Sequence, residues 1–447
     1  MQSQYFRRPP SVKDPSIVAT RLPKNRALAF EQEREREFFE VFRDYYDFEA
    51  GVFRRPDTAN YSLDRMIPLA EAAGNPEEDL EIIHVAGTKG KGSTCAFLSA
   101  FLESAGERCG LYASPHLYSV RERFQVAGEQ LGYDELLAGA REFEACISEA
   151  GLTPTLFEIM TVFAMRQFVD RGCRWCVLET GIGGVLDATN YIPSPRCTVI
   201  TPVSLDHSDL LGDTVEKVAF QKAGIIKPHA PVVCGIQPFT EAEAVIRRRA
   251  EEVRAPFHGV AEKFDPAPWG ILPAPPFTIE NFQLALATCR VLGLEPDPER
   301  FAAPVLWGRF QVLVSDPPVV IDAAHNSDSA RRLAEAVLEV FPRVRFTVVL
   351  GVVPGKDIEG IVRELARLEA DFVLTDPRPP KVSALDQLRS CAESASLECR
   401  VIRNIQCADD LGDAARGPLL FTGSFFTALI GFELFNPFEE NSKKVFE

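Results

Sequence analysis

The sequence has no long hydrophobic run, no leader-like N-terminus and no paired set of cysteines. No window approaches the roughly 18 uninterrupted apolar residues that a membrane-spanning helix needs, so we expect no membrane partner. The first residues lack a short apolar core followed by small residues, and we therefore expect no secretory signal. The 11 cysteines are scattered and odd in number, which predicts reduced thiols in a cytoplasmic protein.

The chain is also short of positive charge. Lys and Arg number 48 against 64 Asp and Glu, which gives a net charge of -16 at pH 7. This balance argues against duplex nucleic acid or an anionic membrane as the main partner, because both would repel the chain. A small anionic ligand remains compatible with it, since a local loop can hold one against the global charge.

The composition is that of an ordinary globular protein, with 447 residues, 46% hydrophobic and 25% charged. At roughly 150 residues per domain this length predicts two to three domains. β-branched runs alternate with glycine-bearing turns and helical stretches, a pattern typical of α/β domains with mostly parallel sheets. We expect a mobile arm over residues 1–27, a larger α/β domain over 28–295 and a smaller one over 296–447.

The α/β prediction rests on particular helices and strands. An amphipathic helix is expected over residues 30–46, and further helices over 93–104 and around 281–292. Strands are predicted at residues 82–86, 175–179 and 198–201 in the first domain, and at 319–321, 345–350, 372–374, 401–402 and 419–422 in the second. The second domain should therefore hold five strands.

The strongest local motif lies between a predicted strand and a predicted helix. Glycines let backbone N–H groups converge on phosphate oxygens, and a lysine and the helix N-terminus both favour negative charge. The common P-loop pattern has Ser or Thr directly after Gly-Lys, and here Gly92 intervenes, so this is a variant. The predicted ATP-binding residues of this loop are Gly87, Thr88, Lys89, Gly90, Lys91, Gly92, Ser93 and Thr94.

Other polar side chains follow predicted strands. Glu179 ends a buried strand, and the glycines after it lack the spacing of a dinucleotide fingerprint, which excludes a nicotinamide site there. Asp206-His207 and Asp322–Asn326 follow two further strands. Because open α/β sheets bind ligands along their carboxyl edge, Glu179 is a plausible magnesium ligand, although acids at strand ends also cap loops.

Several cysteines and histidines favour a structural interpretation. Cys173 and Cys176 form a single CxxC with no second pair at a spacing that would complete a zinc site, so two packed thiols are expected. His84, His229 and His258 have no neighbours in the sequence that would make a site.

Taken together the motifs resemble those of the folylpolyglutamate synthase/dihydrofolate synthase family, the folate branch of the Mur ligases. The resemblance runs from Tyr61 to about Phe435. It rests on the segments His84–Cys95, Ser114–Leu117 with Arg121–Arg123, Thr155–Glu158, Glu179–Asn190, Leu205–His207, Leu211-Gly212 and Lys222–Pro228, in the family's order and spacing.

The resemblance implies a P-loop-type ATPase domain followed by a Rossmann-like ligase domain, together with the following roles. Ser114, Glu179 and His207 would hold Mg²⁺, and Lys222 would carry a carbamate. Lys91, Lys222, His207 and Glu179 would be the catalytic group. Further ATP contacts would come from Asn281, Arg309, Asp322, His325 and Asn326. The pterin end of the substrate would meet Ala113, Thr155, Leu156, Phe157, Glu158, Leu186, Asp187 and Ala188.

The implied reaction is an ATP-dependent ligation of L-glutamate to dihydropteroate or a reduced folate, by a monomer. Three departures from the family pattern affect the nucleotide contacts: Phe277-Thr278, Trp307-Gly308 and Ala323. Two alternatives stay open, a nucleotide-binding regulator with reduced catalysis on the same fold, and a Mur ligase that acts on another carboxylate.

Overall fold

The computed structural model describes residues 24–45, 62–260, 264–271, 274–378 and 383–435. Two α/β units follow one another along the chain, and each is built on its own sheet. The eight strands of the first sheet lie within residues 81–259, and the six strands of the second lie within residues 311–422. This architecture confirms the predicted α/β class. Within the described ranges, no helix has the length and apolar character needed to cross a bilayer.

The first unit has a central parallel sheet. Its strand order is β4-β3-β2-β5-β1-β6-β7-β8. The strand β3 pairs antiparallel with both β2 and β4, and the remaining pairs are parallel. In chain order the elements are α1 (Lys24–Val41), α2 (Met66–Ala72), β1 (Glu81–Ala86), α3 (Lys91–Ser104), β2 (Cys109–Tyr112), β3 (Phe124–Val126), β4 (Glu129–Gln130), α4 (Tyr133–Glu149), α5 (Leu156–Asp170), β5 (Trp175–Glu179), β6 (Cys197–Ile200), α6 (Ser208–Leu211), α7 (Val215–Ala223), β7 (Val232–Cys234), α8 (Thr240–Glu252), β8 (Phe257–Gly259) and α9 (Pro276–Val291).

The second unit repeats the design on a smaller scale. Its strand order is β13-β12-β11-β14-β10-β9, with β9 antiparallel to β10 and the remaining pairs parallel. The elements are β9 (Gln311–Ser315), β10 (Pro318–Ile321), α10 (Ser327–Val340), β11 (Thr347–Leu350), α11 (Ile358–Leu365), β12 (Asp371–Leu374), α12 (Leu385–Ser394), β13 (Cys399–Val401), β14 (Leu419–Thr422) and α13 (Phe425–Phe435).

An aromatic core fixes α3 and α9 on one face of the first sheet. The Phe101 ring centroid lies 5.2 Å from that of Phe282 and 5.0 Å from that of Trp269. Phe301 joins the same cluster, with its ring centroid 5.1 Å from Phe101. The chain therefore packs against the first core for a few residues beyond the boundary expected at 296.

The N-terminal helix is displaced from its predicted position. The charge pattern predicts a helix over 30–46, whereas α1 runs from Lys24 to Val41. Residues 24–27, expected in the arm, are therefore helical, and residues 1–23 lie outside the described part of the chain. Phe38 and Phe42 anchor α1, because both are buried and Phe38 packs near Phe124 and Phe163.

Several short strands of the structure are not predicted by the hydrophobic pattern of the sequence. The second sheet has six strands where five were expected, and the extra one is the half-exposed β9. In the first sheet β2, β3, β4, β7 and β8 were also missed, and each has only two to four residues. A strand of this length has too few residues to establish a period of two.

Gly110 on β2 provides a test of how tightly the sheet packs on α5. A Cβ at this position would lie 2.2 Å from Cγ of Phe168, a buried ring that has no room to move. We expect Gly110→Ala to lower the free energy of unfolding by about 2 kcal/mol, measured by urea denaturation.

Gly259→Ala is the matched control, since Gly259 is also on a strand but its Cβ would meet only Phe257, at 3.7 Å. Equal stability changes in the two variants would contradict the packing described here.

Candidate active site

The glycine-rich loop is pressed against two neighbouring elements. Gly87 has φ 151° and Gly90 has φ 83°, both in the region that favours glycine. A Cβ on Gly87 would lie 1.8 Å from Thr201 Oγ1, and one on Gly90 would lie 2.1 Å from Asn281 Oδ1. The loop therefore needs glycine at both positions for its conformation and for its close approach to the end of β6 and to α9.

The loop's amides divide into two groups. The Thr88 and Lys89 N–H groups donate to the Pro202 carbonyl at 3.0 and 3.1 Å, so they fasten the loop to the sheet. The first helical bond of α3 runs from the Thr94 N–H to the Gly90 carbonyl, at 2.8 Å. The amides of residues 91–93 precede that bond, and such N–H groups at a helix N-terminus are available to an anion.

Glu179 sits beside this helix start. It is 2% exposed, and its Oε2 accepts the Ser114 N–H at 3.0 Å. A Cβ on Gly92 would lie 3.3 Å from the same oxygen, so the carboxylate faces the loop at its middle glycine. Burial raises the pKa of Glu179, and nearby Lys91 opposes the rise. Among the described residues, Oε1 of Glu179 has no hydrogen-bond partner.

Lys222 is a buried amine close to the same loop. It lies on the last turn of α7 and is 4% exposed. Burial, together with the positive charge of Lys91, lowers its pKa to about 7, although the nearby carboxylates of Asp206 and Asp187 act in the other direction. No ion-pair or hydrogen-bond partner for its ammonium occurs within the described ranges.

His207 lies near these groups but points partly to solvent. Its φ is 50°, its side chain is 42% exposed, and its backbone N–H donates to Asp206 Oδ1 at 3.0 Å. Burial of the ring lowers its pKa, and Asp206 opposes this effect. Across the described part of the chain, no three side chains of His, Cys, Asp or Glu converge as a ready metal site.

Asp206 joins the two units. Its Oδ2 lies 3.4 Å from Lys89 Nζ in the glycine-rich loop and 4.0 Å from His325 Nε2 in the second unit. Burial raises the pKa of Asp206, but the charges of Lys89, His207, His325 and Lys356 outweigh that effect and lower it. Asp206 is therefore an ionised anchor between the predicted nucleotide loop and the second unit.

The second unit contributes a polar rim. The Arg309 guanidinium lies 4.8 Å from the centre of the Phe425 ring and lines a cleft with Ser114 and Glu179. The two oxygens of Asp322 accept the Phe310 and Ala324 N–H groups, each at 2.8 Å, so this carboxylate shapes its own loop.

His325 and Asn326 complete this rim. His325 Nδ1 lies 2.9 Å from the Ala323 carbonyl, and burial lowers the pKa of His325 to about 3. Asn326 Oδ1 caps α10 by accepting the Ser329 N–H at 2.9 Å. The buried Asn326 Nδ2 has no hydrogen-bond partner in the described residues, which leaves a donor for a ligand.

The residues expected to contact the pterin end differ in burial and in whether they already have partners. Glu158 is occupied, because it accepts the Thr155 N–H at 2.8 Å and pairs with Arg65 at 2.7 Å. Phe157 packs close to the loop after β5, since a Cβ on Gly181 would lie 2.6 Å from its Cζ. Of the other expected contacts, Leu186 is exposed, Ala113 is half-buried, and Leu156, Asp187 and Ala188 are buried.

Sequence reasoning missed Lys356 and Arg65. Lys356 lines the cleft between the units together with Asp206, His207 and Asn326. The signal that could have found it is its position in a glycine-bearing turn after a strand, as for the other site residues. Arg65 offered no such signal, because its partner Glu158 is 93 residues away.

Comparison with known proteins identifies the family of the chain. A curated dihydrofolate synthase/folylpolyglutamate synthase of Bacillus subtilis is 33% identical over 366 residues, which cover 74% of this chain and 84% of the relative. The protein of the same name from Escherichia coli is 31% identical, over 74% of this chain and 81% of its own length. The chain belongs to this family. Residues 308–418 also match the model of the Mur ligase glutamate ligase domain.

Solved structures of the family have the same fold. The Mycobacterium tuberculosis folylpolyglutamate synthase, complexed with ADP and AMPPCP, is similar with a TM-score of 0.75 and 29% identity over 84% of this chain and 95% of its own. The Escherichia coli protein in complex with DHPP and ADP has a TM-score of 0.73 and 27% identity over 91% of this chain and 96% of its own. The resemblance inferred from the motifs is thereby confirmed.

The Asp206 anchor should make stability depend on pH. Because its pKa is lower in the folded chain than its ordinary value, its contribution is fully present above about pH 4 and is lost as the pH falls below that value. We expect Asp206→Asn to lower the free energy of unfolding by about 2 kcal/mol at pH 7, and the difference from the unsubstituted chain to shrink between pH 4 and pH 2.

Urea denaturation at each pH measures this difference. Asp209→Asn is the control, since Asp209 is exposed in the same cleft and has no ion pair among the described residues. A pH-independent difference for Asp206→Asn would refute the anchor.

Proposed function

We propose that this protein is an ATP-dependent ligase that joins the carboxylate of dihydropteroate or a reduced folate to the amine of L-glutamate. The observation that carries the proposal is the meeting of Gly92 and Ser93 at the start of α3, the buried Glu179 and Arg309 of the second unit around one cleft. The names and ligands of the similar proteins, which include ADP, AMPPCP and DHPP, support the same substrates.

The chain's own groups fit the two steps of such a ligation. In the first step a substrate carboxylate oxygen attacks the γ-phosphorus, the bond to the β-γ bridging oxygen breaks, and ADP leaves with that electron pair. Lys91, the amides of residues 91–93 and Arg309 would compensate the charge on the phosphates, since phosphoryl transfer depends mainly on positioning and charge. In the second step the glutamate amine attacks the acyl carbon, phosphate leaves, and the amine loses a proton.

The donor set also fits Mg²⁺. Ser114, Glu179 and His207 would hold the ion, and Oε1 of the buried residue Glu179, which has no hydrogen-bond partner among the described residues, is a carboxylate oxygen of the type that Mg²⁺ prefers. Mg²⁺ commonly uses one or two protein carboxylates together with substrate phosphates and water, so it does not require a cluster of three protein ligands. When bound, it would neutralise phosphate charge.

Lys222 fits the expected carbamate. Carbamate formation needs a neutral amine, because the nitrogen lone pair bonds to the carbon of CO₂ and a proton is lost. A buried lysine with a pKa of about 7 and no partner in the described ranges offers that form near neutral pH. As a carbamate it would turn a cation next to Lys91 into an anionic ligand.

The ligation assay tests the function directly. ATP, labelled glutamate and either dihydropteroate or a reduced folate are supplied, and ADP release and labelled product are measured together. We expect Lys91→Ala to lower kcat by about a hundredfold or more, because it removes a charge that compensates the transferring phosphoryl group.

Lys217→Ala is the control, since Lys217 is exposed and pairs with Asp213 at 2.7 Å. Near-normal turnover in Lys91→Ala would overturn the assignment. Tight nucleotide binding without phosphate release from either acid would favour the regulator, and product from a muramyl nucleotide alone would favour another Mur ligase.

The carbamate has its own test. We expect a carbamyl carbon signal in the NMR spectrum of the protein equilibrated with ¹³C-labelled bicarbonate, absent in Lys222→Arg. At a fixed concentration of dissolved CO₂ the signal should grow as the pH rises through about 7, since the neutral amine then increases. An identical signal in the variant would place the modification elsewhere.

A further inference from the structure

His84 has companions that the sequence did not reveal. It is fully buried on β1, three residues before Gly87. Its Nε2 lies 2.8 Å from Thr189 Oγ1 and 3.0 Å from Thr180 Oγ1. Its Nδ1 is buried and has no hydrogen-bond partner among the described residues. The polar contacts of the ring are thus directed at the loop over residues 180–190, which follows Glu179.

Thr189 is also hydrogen-bonded to the carboxylate of Asp187. Its hydroxyl donates to Asp187 Oδ1 at 2.5 Å, and its N–H donates to the same oxygen at 3.0 Å. The Ile182 N–H donates to Asp187 Oδ2 at 2.8 Å. Three donors converge on Asp187, which suits an ionised carboxylate because that form only accepts hydrogen bonds.

These contacts decide the tautomer of His84. Thr189 has one hydroxyl hydrogen, and it is committed to Asp187. The short contact between Thr189 Oγ1 and His84 Nε2 therefore needs a hydrogen on Nε2. The ring is neutral, since burial and the charge of Lys227 lower the pKa of His84 to about 3. The unpartnered Nδ1 is then a bare acceptor, which costs less to bury than an unpartnered N–H.

The loop held in this way is seated against the segment that carries Lys222. The Val185 N–H donates to the Gln221 carbonyl at 3.0 Å. A Cβ on Gly184 would lie 2.3 Å from the same carbonyl oxygen, so the two backbones touch. A shift of the loop would therefore move the last turn of α7 together with its buried lysine.

We propose that His84, as the neutral Nε2–H tautomer, is a positioning residue that orders the loop over residues 180–190 through Thr189 and Asp187, and thereby places Lys222. The effect on catalysis rests on the proposed ligase function, whereas the ordering of the loop does not. His84 touches neither nucleotide loop side chains nor any predicted metal ligand in the contacts described above.

Two variants of His84 distinguish the loss of the Nε2–H donor from the loss of the imidazole ring itself. The side-chain nitrogen of Gln reaches about as far as the ring Nε2, whereas that of Asn reaches only as far as Nδ1. His84→Gln should therefore keep the donor to Thr189, and His84→Asn should lose it. Thr198→Val is the matched control, because Thr198 is buried on β6 directly beside His84 in the sheet and is not bonded to the loop.

The first readout is independent of activity. We expect the Ile182 and Thr189 amides to exchange with solvent about tenfold faster in His84→Asn, the size expected for one hydrogen bond, and at the unsubstituted rate in His84→Gln and Thr198→Val. The ¹⁵N NMR shifts of the ring should report Nε2–H. Unchanged amide exchange in His84→Asn, or a ring with its hydrogen on Nδ1, would overturn the proposed ordering of the loop by His84.

The second readout uses the reaction. In His84→Asn, kcat/KM for the pteroate or folate acid should fall about tenfold, with the Kd for ADP unchanged and with rescue by His84→Gln. An equal loss in ADP affinity, or a His84→Gln variant as poor as His84→Asn, contradicts a positioning role. If the unsubstituted chain ligates neither acid but amide exchange is faster in His84→Asn as expected, the ordering of the loop by His84 is supported and the proposed ligase function is wrong.

Discussion

The close approach of the glycine-rich loop to its neighbours is the constraint on which the site depends. Thr201 at the end of β6 and Asn281 on α9 occupy the space that Cβ atoms at Gly87 and Gly90 would need. The same packing turns the N-terminus of α3 towards Glu179 at the end of β5. Because β1, β5 and β6 are adjacent and parallel, their carboxyl ends bring these groups to one edge.

The second unit is held at this edge by contacts of different kinds. Asp206 pairs with Lys89 in the glycine-rich loop and lies 4.0 Å from Nε2 of His325 in the second unit. Leu117 and Tyr118, which follow Ser114, pack into the apolar cluster of α13, where the Tyr118 ring centroid lies 5.3 Å from that of Phe432. The predicted nucleotide site therefore lies at a junction in which the second unit supplies Arg309 and the first supplies the phosphate loop.

Buried polar groups in the first unit form a support behind the site. Buried His84 contacts Thr189 in the loop over residues 180–190, where Thr189 is bonded to Asp187, and the half-buried Arg65 contacts Glu158 at the start of α5. The contacts of His84 with Thr189 and of Arg65 with Glu158 join residues far apart in the sequence, and such networks fix a single loop conformation better than apolar packing alone. The cost is that one lost partner leaves a buried group unpaired.

The α/β class and the glycine-rich loop were predictable from the sequence, because the spacing of strands, glycines and lysine is a local property of the chain. The family followed from the resemblance of several motifs in the same order. The sequence also placed Glu179 at a strand end, next to the loop where the structure has it. Which of these groups are available to a ligand depends on the folded chain, in which Glu158 and Asp322 are held by partners, Lys222 is buried and Lys356 lines the cleft. The short edge strands and the companions of His84 were likewise beyond local patterns, because pairing across about a hundred residues depends on how the sheet is assembled.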